Sequence, residues 1–289
     1  MNMLDRVAGA PISWGVCEVA GWGYQLPAAR VLEEMRALGL RATEVGPEGF
    51  LPGDPAAKVR ALAAAGLAAV GGFVPLVLHD PAHDPLPEID RTLDSLLSVG
   101  ARVAAIAAVS AVDGYDHSSQ VDTTGWSTLL GNLDRIADFA EERGVTAALH
   151  PHVGTLVEGP DDVCRVLGAS RIALCVDTGH LAIAGVDPVD LVREVPERVA
   201  HVHLKDVDLA VAQRARRGEG TYTEAVAHGL FRPLGHGGVD IGGVVSALEA
   251  SGYAGWYVLE QDTILTCDPK GEGPAADVRT SLEFLRGIA

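Results

Sequence analysis

The sequence predicts an α/β protein folded as a single closed (β/α)8 TIM barrel, and three observations carry that expectation. Eight short, nearly continuous apolar runs alternate with helical segments over 289 residues, with no break in composition that would mark a second domain. Runs that are apolar throughout, instead of alternating, are what parallel strands covered on both faces look like. Polar side chains collect just beyond the C-terminal ends of these runs, where such barrels gather their reacting groups. The rival architecture, an open doubly wound sheet, requires a glycine-rich phosphate loop after an early strand. Neither Gly71-Gly72 nor Gly21-Trp22-Gly23 makes one.

The elements follow in order. Residues 7–13 form the first run, ahead of Trp14-Gly15; Pro27 opens a helix whose Val31, Leu32, Met35 and Leu38 repeat at helical spacing, and Gly39 closes it. Residues 41–46 are the second strand. Asp54-Pro55 caps a helix ending near Gly66, and residues 67–73 form the third strand, running on to His79. Helix 84–99 stops at Gly100, and residues 101–109 are the fourth strand. A polar loop at 113–122 leads into the longest helix, 124–143, closed by Gly144. Glycine at these stops suits the left-handed backbone that follows a helix. The fifth strand, 145–149, ends in His150-Pro151-His152; after helix 160–167 the sixth, 172–176, ends in Asp177-Thr178-Gly179-His180. A short helix at 188–194 precedes the seventh strand, and helix 241–250 precedes the eighth, 256–259, which ends in Glu260-Gln261-Asp262. A final helix covers 277–286.

The seventh strand, 200–206, is the most heavily loaded. Val202 and Leu204 fall on one side of a period-two pattern, and His201, His203 and Lys205 on the other, with Asp206 following. The connection after it, 207–240, is far longer than an ordinary βα loop, and loops of that length are functional or disordered. Its Leu209, Val211, Tyr222, Val226, Leu230, Phe231 and Leu234 are apolar anchors that argue for an ordered lid over the mouth. Residues 210–217 read as a short helix whose Arg214, Arg216 and Arg217 either offset mouth carboxylates or form a solvated face.

Composition narrows the function classes. Hydrophobic residues at 48% and charged residues at 21% describe an ordered globular chain. A formal net charge of −17 argues against a nucleic-acid surface, which needs a basic track. Cys17, Cys164, Cys175 and Cys267 have no paired spacing and read as reduced thiols. No signal-peptide pattern opens the sequence and no apolar run approaches a membrane span, so a cytoplasmic protein with no membrane partner is expected. Assembly into a homo-oligomer is compatible with all of this.

At the barrel mouth the sequence places Trp14, Glu44, His150, His152, Asp177, His180, His203, Lys205, Asp206, Glu260 and Asp262. Imidazole nitrogen and carboxylate oxygen without cysteine suit a divalent Mn, Co, Mg or Zn ion with open coordination positions. Each residue has a plainer reading beside that one. Asp177 is a good helix N-cap, His150 and His152 flank a proline and can serve loop backbone, and Glu44 can pair with an arginine. His79 and Cys175 read as structural. Trp14 and Trp22 are core residues or an apolar platform for a sugar ring.

Asp177-Thr178-Gly179-His180, His203-Leu204-Lys205-Asp206 and Glu260 together resemble the xylose-isomerase-like barrel superfamily of sugar isomerases, epimerases and apurinic endonucleases. More narrowly, Pro11-Ile12-Ser13-Trp14-Gly15, Thr43-Glu44-Val45-Gly46, His150-Pro151-His152-Val153-Gly154-Thr155 and Pro233-Leu234-Gly235 resemble the inosose dehydratase branch, which removes water from 2-keto-myo-inositol in inositol breakdown. The resemblance implies a metal held by Asp177, His203 and Glu260, with His150 where the superfamily usually has a glutamate. It implies Mn or Co, with Zn or Mg as alternatives. It places His180 and Lys205 against substrate and implies a polyol or sugar as that substrate. For the dehydration, Glu44, His152 and Lys205 are the expected catalytic groups, and Trp14, His180 and Asp206 the expected substrate contacts. His236 stands where the family often has an acidic residue. A metal-dependent ketose isomerase or epimerase is the alternative activity, and a non-catalytic sugar-binding barrel is a third.

Overall fold

The computed structural model describes residues 2–117 and 120–289; Met1, and Ser118 and Ser119 of the polar loop expected at 113–122, lie outside the described residues. The strands pair in parallel around a ring: Val7–Gly9, Ala42–Thr43, a third strand in two pieces, Val103–Val109, Thr146–Leu149, Ala173–Asp177, Val199–Leu204 and Tyr257–Leu259. The barrel expected from the alternating runs is the fold observed.

The ring closes through the third strand. Its first piece, Ala68–Ala69, pairs with the second strand, and its second piece, Gly71–Val77, pairs with the fourth. Val70 joins them: its N–H donates to the Thr43 carbonyl at 3.0 Å, and its own carbonyl accepts from Arg102 at 3.1 Å. Gly71 makes this junction possible. A Cβ there would lie 2.8 Å from the Val103 carbonyl oxygen, so only glycine allows the two backbones to meet.

Two strands are shorter than the sequence suggests. The first stops at Gly9 because Pro11 starts a 3-10 turn, Pro11–Trp14, and the second covers only Ala42–Thr43. The helices that follow the strands begin at the mouth, where Asp54, Asp122, Asp187 and Asp240 accept backbone N–H groups as N-caps. A helix not expected from the sequence, Thr178–Ala184, follows the sixth strand directly.

Along the seventh strand Val202 and Leu204 face outward into the main core, and His201 and His203 face the barrel interior. That interior is otherwise lined by small side chains, including Ala8, Ala42 and Val258 in one group and Ala105, Ala148 and Cys175 in another. Small residues leave room for the imidazoles.

The long connection is ordered. Asp206–Val207 and Phe231–Arg232 form a two-stranded antiparallel ribbon, with helices Leu209–Arg216 and Tyr222–Ala227 between them. It has a small apolar core of its own, in which Val211, Tyr222, Val226 and Phe231 pack with Trp22 and Tyr115. Arg214, Arg216 and Arg217 are exposed, so the solvated-face reading of this helix holds.

Asp206 pins the connection down. Its Oδ1 accepts from the Val207 and Val239 N–H groups at 2.9 and 3.0 Å, and its Oδ2 from those of Gly235 and Gly237, both at 2.9 Å. This corrects the expectation that Asp206 contacts substrate: both oxygens are committed to loop backbone. The opposite end of the barrel is held by Arg6, 6% exposed. It donates to the Tyr253 and Gly255 carbonyls and to both oxygens of Glu249, at 2.6 and 2.7 Å.

Two outcomes follow from these anchors. Arg6→Ala is expected to lower unfolding stability by about 2 kcal/mol or more in denaturant titration. That is less than the ~3–5 of a fully buried pair, since Glu249 is partly solvated. Asp206→Ala strands four backbone donors, each costing about 1–3 kcal/mol if left unpaired; rapid limited proteolysis within 207–240 is expected, and wild-type resistance there would contradict the pinning role.

Candidate active site

The site is assembled from consecutive strand ends. His150 ends the fifth strand, Asp177 the sixth, His203 the seventh and Glu260 the eighth. His150 Nε2, Asp177 Oδ2, His203 Nδ1 and Glu260 Oε2 converge, all within 4.8 Å of one another. His203 Nδ1 lies 3.2 Å from His150 Nε2, 3.1 Å from Glu260 Oε2 and 3.6 Å from Asp177 Oδ2.

The helix-cap reading of Asp177 holds, and it leaves the second oxygen facing the cluster. Its Oδ1 caps helix Thr178–Ala184, accepting from Gly179 and His180 N–H at 2.9 and 2.8 Å. Its Oδ2 faces the cluster, 3.3 Å from His150 Nε2. The cap therefore fixes which way the second oxygen points.

Glu44 reaches His203 from behind. Its Oε1 lies 3.1 Å from His203 Nε2 and 2.9 Å from His201 Nε2. Burial raises the Glu44 carboxyl, but the imidazoles of His203 and His201 outweigh it and hold it below the ordinary carboxylate range. A carboxylate on the far nitrogen of a ligating histidine fixes ring orientation and tautomer. Glu44 also lines the cavity above, with Oε1 engaged by both histidines.

Lys205 sits on the same carboxylates from the opposite side. Its ammonium lies 2.9 Å from Glu260 Oε2, 3.3 Å from Asp177 Oδ2, 2.8 Å from Asp262 Oδ1 and 3.1 Å from His180 Nε2. Burial disfavours its charge, but Asp177, Asp262 and Glu260 reverse this and keep it protonated well above the usual lysine range. An ammonium has three hydrogens, and here it faces four acceptors. Gly179 gives the lysine its place: a Cβ there would fall 2.8 Å from Lys205 Cβ.

Three carboxylates (Asp177, Glu260 and Asp262) thus face one ammonium, while Glu44 faces imidazoles only. Two imidazole nitrogens 3.2 Å apart also need a proton or a cation between them. Both observations fit a divalent cation at His150 Nε2, Asp177 Oδ2, His203 Nδ1 and Glu260 Oε2, with nitrogen and oxygen in equal number. His150 Nδ1 is buried and has no hydrogen-bond partner among the described residues.

Above the cluster lies a cavity of about 620 Å³, reached by His150, His152, Lys205, Glu260 and Asp262. His152 donates Nδ1–H to the Val153 carbonyl at 2.6 Å and stacks on His180, ring centroids 3.7 Å apart. Burial, with help from His150 and Lys205, holds His152 well below the ordinary imidazole range; burial, His152 and Lys205 do the same to His180. Both rings are therefore neutral near pH 7.

Trp14 is a correction. It is fully buried in the main core, and its indole N–H donates to Glu34 Oε2 at 2.7 Å, because the 3-10 turn at Pro11 rotates it away from the mouth. Trp22 lines the cavity instead, with Tyr115, Phe73 and Glu18. Sequence reasoning placed Asp262 at the mouth without a role and read Tyr222 only as an apolar anchor, whereas the Tyr222 hydroxyl donates to Asp262 Oδ2 at 2.5 Å. A legible signal existed in Thr221-x-x-Glu224, a capping box that fixes where the Tyr222 helix begins.

The comparisons with known proteins bear on the fold and the family. The chain is 29% identical to an inosose dehydratase from Geobacillus thermodenitrificans, covering 96% of this chain and 95% of that one. It is 33% identical to the rhizopine catabolism protein MocC of Rhizobium meliloti, covering 99% and 89%. Among solved structures, the probable 3-DHS dehydratase AsbF of Bacillus anthracis superimposes with a TM-score of 0.71 at 12% identity, covering 97% of this chain and 98% of that one. An L-ribulose 3-epimerase superimposes at 0.70 and 17% identity, covering 98% and 94%. The family profile described as xylose isomerase-like TIM barrel matches residues 25–288, and the chain belongs to that family.

Proposed function

We propose that this chain is a hydro-lyase acting on a cyclic polyol ketone, dehydrating a keto-inositol as its relatives named inosose dehydratase do by name. The observation that carries the reading is the convergence of His150, Asp177, His203 and Glu260 beside a buried ammonium and a neutral imidazole in one cavity. A divalent cation held by those four residues supplies Lewis acidity at the substrate ketone. Nitrogen donors at His150 and His203 favour Mn, Co or Zn over Mg.

The chain's own groups supply the rest. His152, with its Nδ1–H committed to Val153, keeps a lone pair on Nε2 and serves as the base that takes the proton from the carbon next to the ketone. The C–H electrons form the C=C bond of the enolate as the carbonyl π pair moves onto oxygen. When that pair returns to re-form the C=O, the C=C electrons shift toward the next carbon. On the adjacent carbon the C–O bond breaks, and Lys205 gives its proton to the departing hydroxyl, which leaves as water. Glu44 orients His203 and takes no part in proton transfer.

Enclosure supports elimination over simple reprotonation. The long connection brings Phe231 to 5.0 Å from the Lys205 ammonium, measured to the ring centroid, and Tyr222 against His152 and His180. A covered site limits quenching of the enolate by water.

The decisive assay incubates metal-reconstituted protein with inosose and follows the ultraviolet absorbance of the dione product, with NMR for epimerised ketoses. Dione formation is the expected result. Epimerised sugars without dione would replace the reading with a ketose epimerase, which shares the first proton transfer.

Two measurements test the site directly. Glu260→Ala is expected to keep its circular-dichroism spectrum while losing more metal affinity than the about 10–100-fold typical of a supporting group; full metal occupancy in elemental analysis would remove Glu260 as a ligand. Turnover is expected with Mn, Co or Zn and to be weak with Mg, so equal activity with Mg alone would argue against His150 as a ligand.

A further inference from the structure

Tyr222 is the one hydroxyl that the long connection delivers to the ion-pair network among the described residues, and the fold goes to some length to place it. Thr221 Oγ1 accepts from Glu224 N–H at 3.1 Å, while the Glu224 carboxylate accepts from Thr221 N–H at 2.9 Å, so the helix starts at Tyr222. The next residue is tied to a different loop, Thr223 N–H donating to Asp116 Oδ1 at 2.8 Å. The Tyr222 ring is buried, with Phe231 edge-on to it at 6.3 Å and His180 at 6.0 Å. Its hydroxyl ends on Asp262 Oδ2 at 2.5 Å.

Asp262 is divided between two donors. One oxygen takes the tyrosine hydroxyl, the other the Lys205 ammonium at 2.8 Å. Lys205 faces four acceptors with three hydrogens, so its position depends on which acceptors stay in place. A carboxylate held on both oxygens cannot rotate away, whereas one held on a single oxygen can.

We propose that Tyr222 is a positioning residue. Acting through Asp262, it sets where the Lys205 ammonium rests, and so couples the seating of the 207–240 connection to the acid of the reaction. The inference rests on the hydro-lyase reading for its kinetic consequence but not for its structural one. With the connection unseated, Asp262 turns, Lys205 settles onto Glu260 and Asp177, and proton delivery to the leaving hydroxyl fails.

The test compares Tyr222→Phe, which keeps the ring and its packing, with Asp262→Asn and the double variant. For inosose turnover the expected result is a kcat loss of about 10–100-fold, at or below the lower limit of a general acid's whole contribution of about 10²–10⁴, with KM and metal content little changed. The double variant is expected to be no worse than the poorer single one, because both act on the same group. A second readout needs no substrate: competitive acetylation of Lys205, quantified by peptide mass spectrometry against Lys58, is expected to rise in both single variants. Wild-type kcat and wild-type labelling in Tyr222→Phe would overturn the proposal, as would losses that multiply in the double variant. If the wild-type protein does not turn over inosose, the hydro-lyase reading fails, and the labelling comparison alone decides the role of Tyr222.

Discussion

The pairing of Lys205 with three buried carboxylates is the constraint on which the rest of the mouth depends. Asp177, Glu260 and Asp262 come from two different strand ends, and each would be costly to bury alone. One ammonium in contact with all three makes their closeness tolerable. The backbone around the lysine is fixed accordingly: Thr178 Oγ1 accepts from Lys205 N–H at 2.8 Å and donates to the Lys205 carbonyl at 2.7 Å. The sixth and seventh strand ends are thereby locked to each other where the chemistry sits. The four-residue cluster and the ammonium share Glu260 Oε2 and Asp177 Oδ2, so a cation held by that cluster would confront the ammonium across the same oxygens.

The two ends of the barrel carry different burdens. At the mouth, aspartates begin the helices and glycines permit close approach. At the opposite end Arg6 joins the segment before the first strand to the one before the last, and none of the residues it binds lines the cavity at the mouth. Stability and chemistry are separated along the barrel axis, as parallel barrels allow.

Much of this was legible in the sequence, because it rests on local patterns. Strand and helix order follow from apolar runs, aspartate caps and glycine stops, and the residues at strand ends follow from the fold. The four convergent donors His150, Asp177, His203 and Glu260 were readable for that reason. What was not legible depends on backbone direction over one or two residues. Trp14 lies where a strand end should be, yet a proline three positions earlier turns the chain and buries it. Asp206 follows Lys205 directly, and strand alternation alone sends it to the opposite face, where loop amides take both its oxygens. Tyr222 and Asp262 are 40 residues apart in sequence, and nothing local joins them. Glu44 was visible as a mouth carboxylate, but its bond to the back of His203 needs the second and seventh strands placed across the barrel from each other.

The Nδ1 of His150, without a hydrogen-bond partner among the described residues, sets this residue apart from the other three donors. Asp177 is tied to a helix cap, His203 to Glu44, and Glu260 to Lys205. Exchanging any of these disturbs something beyond the donor itself. His150 has only its Nε2 engaged, and its ring rests edge-on against Phe73. Position 150 is therefore the adjustable corner of an otherwise rigid square. A metal held at the proposed site would meet a different donor after a single exchange at that corner, a harder oxygen in place of nitrogen for example, while the ties of the other three residues stay as they are.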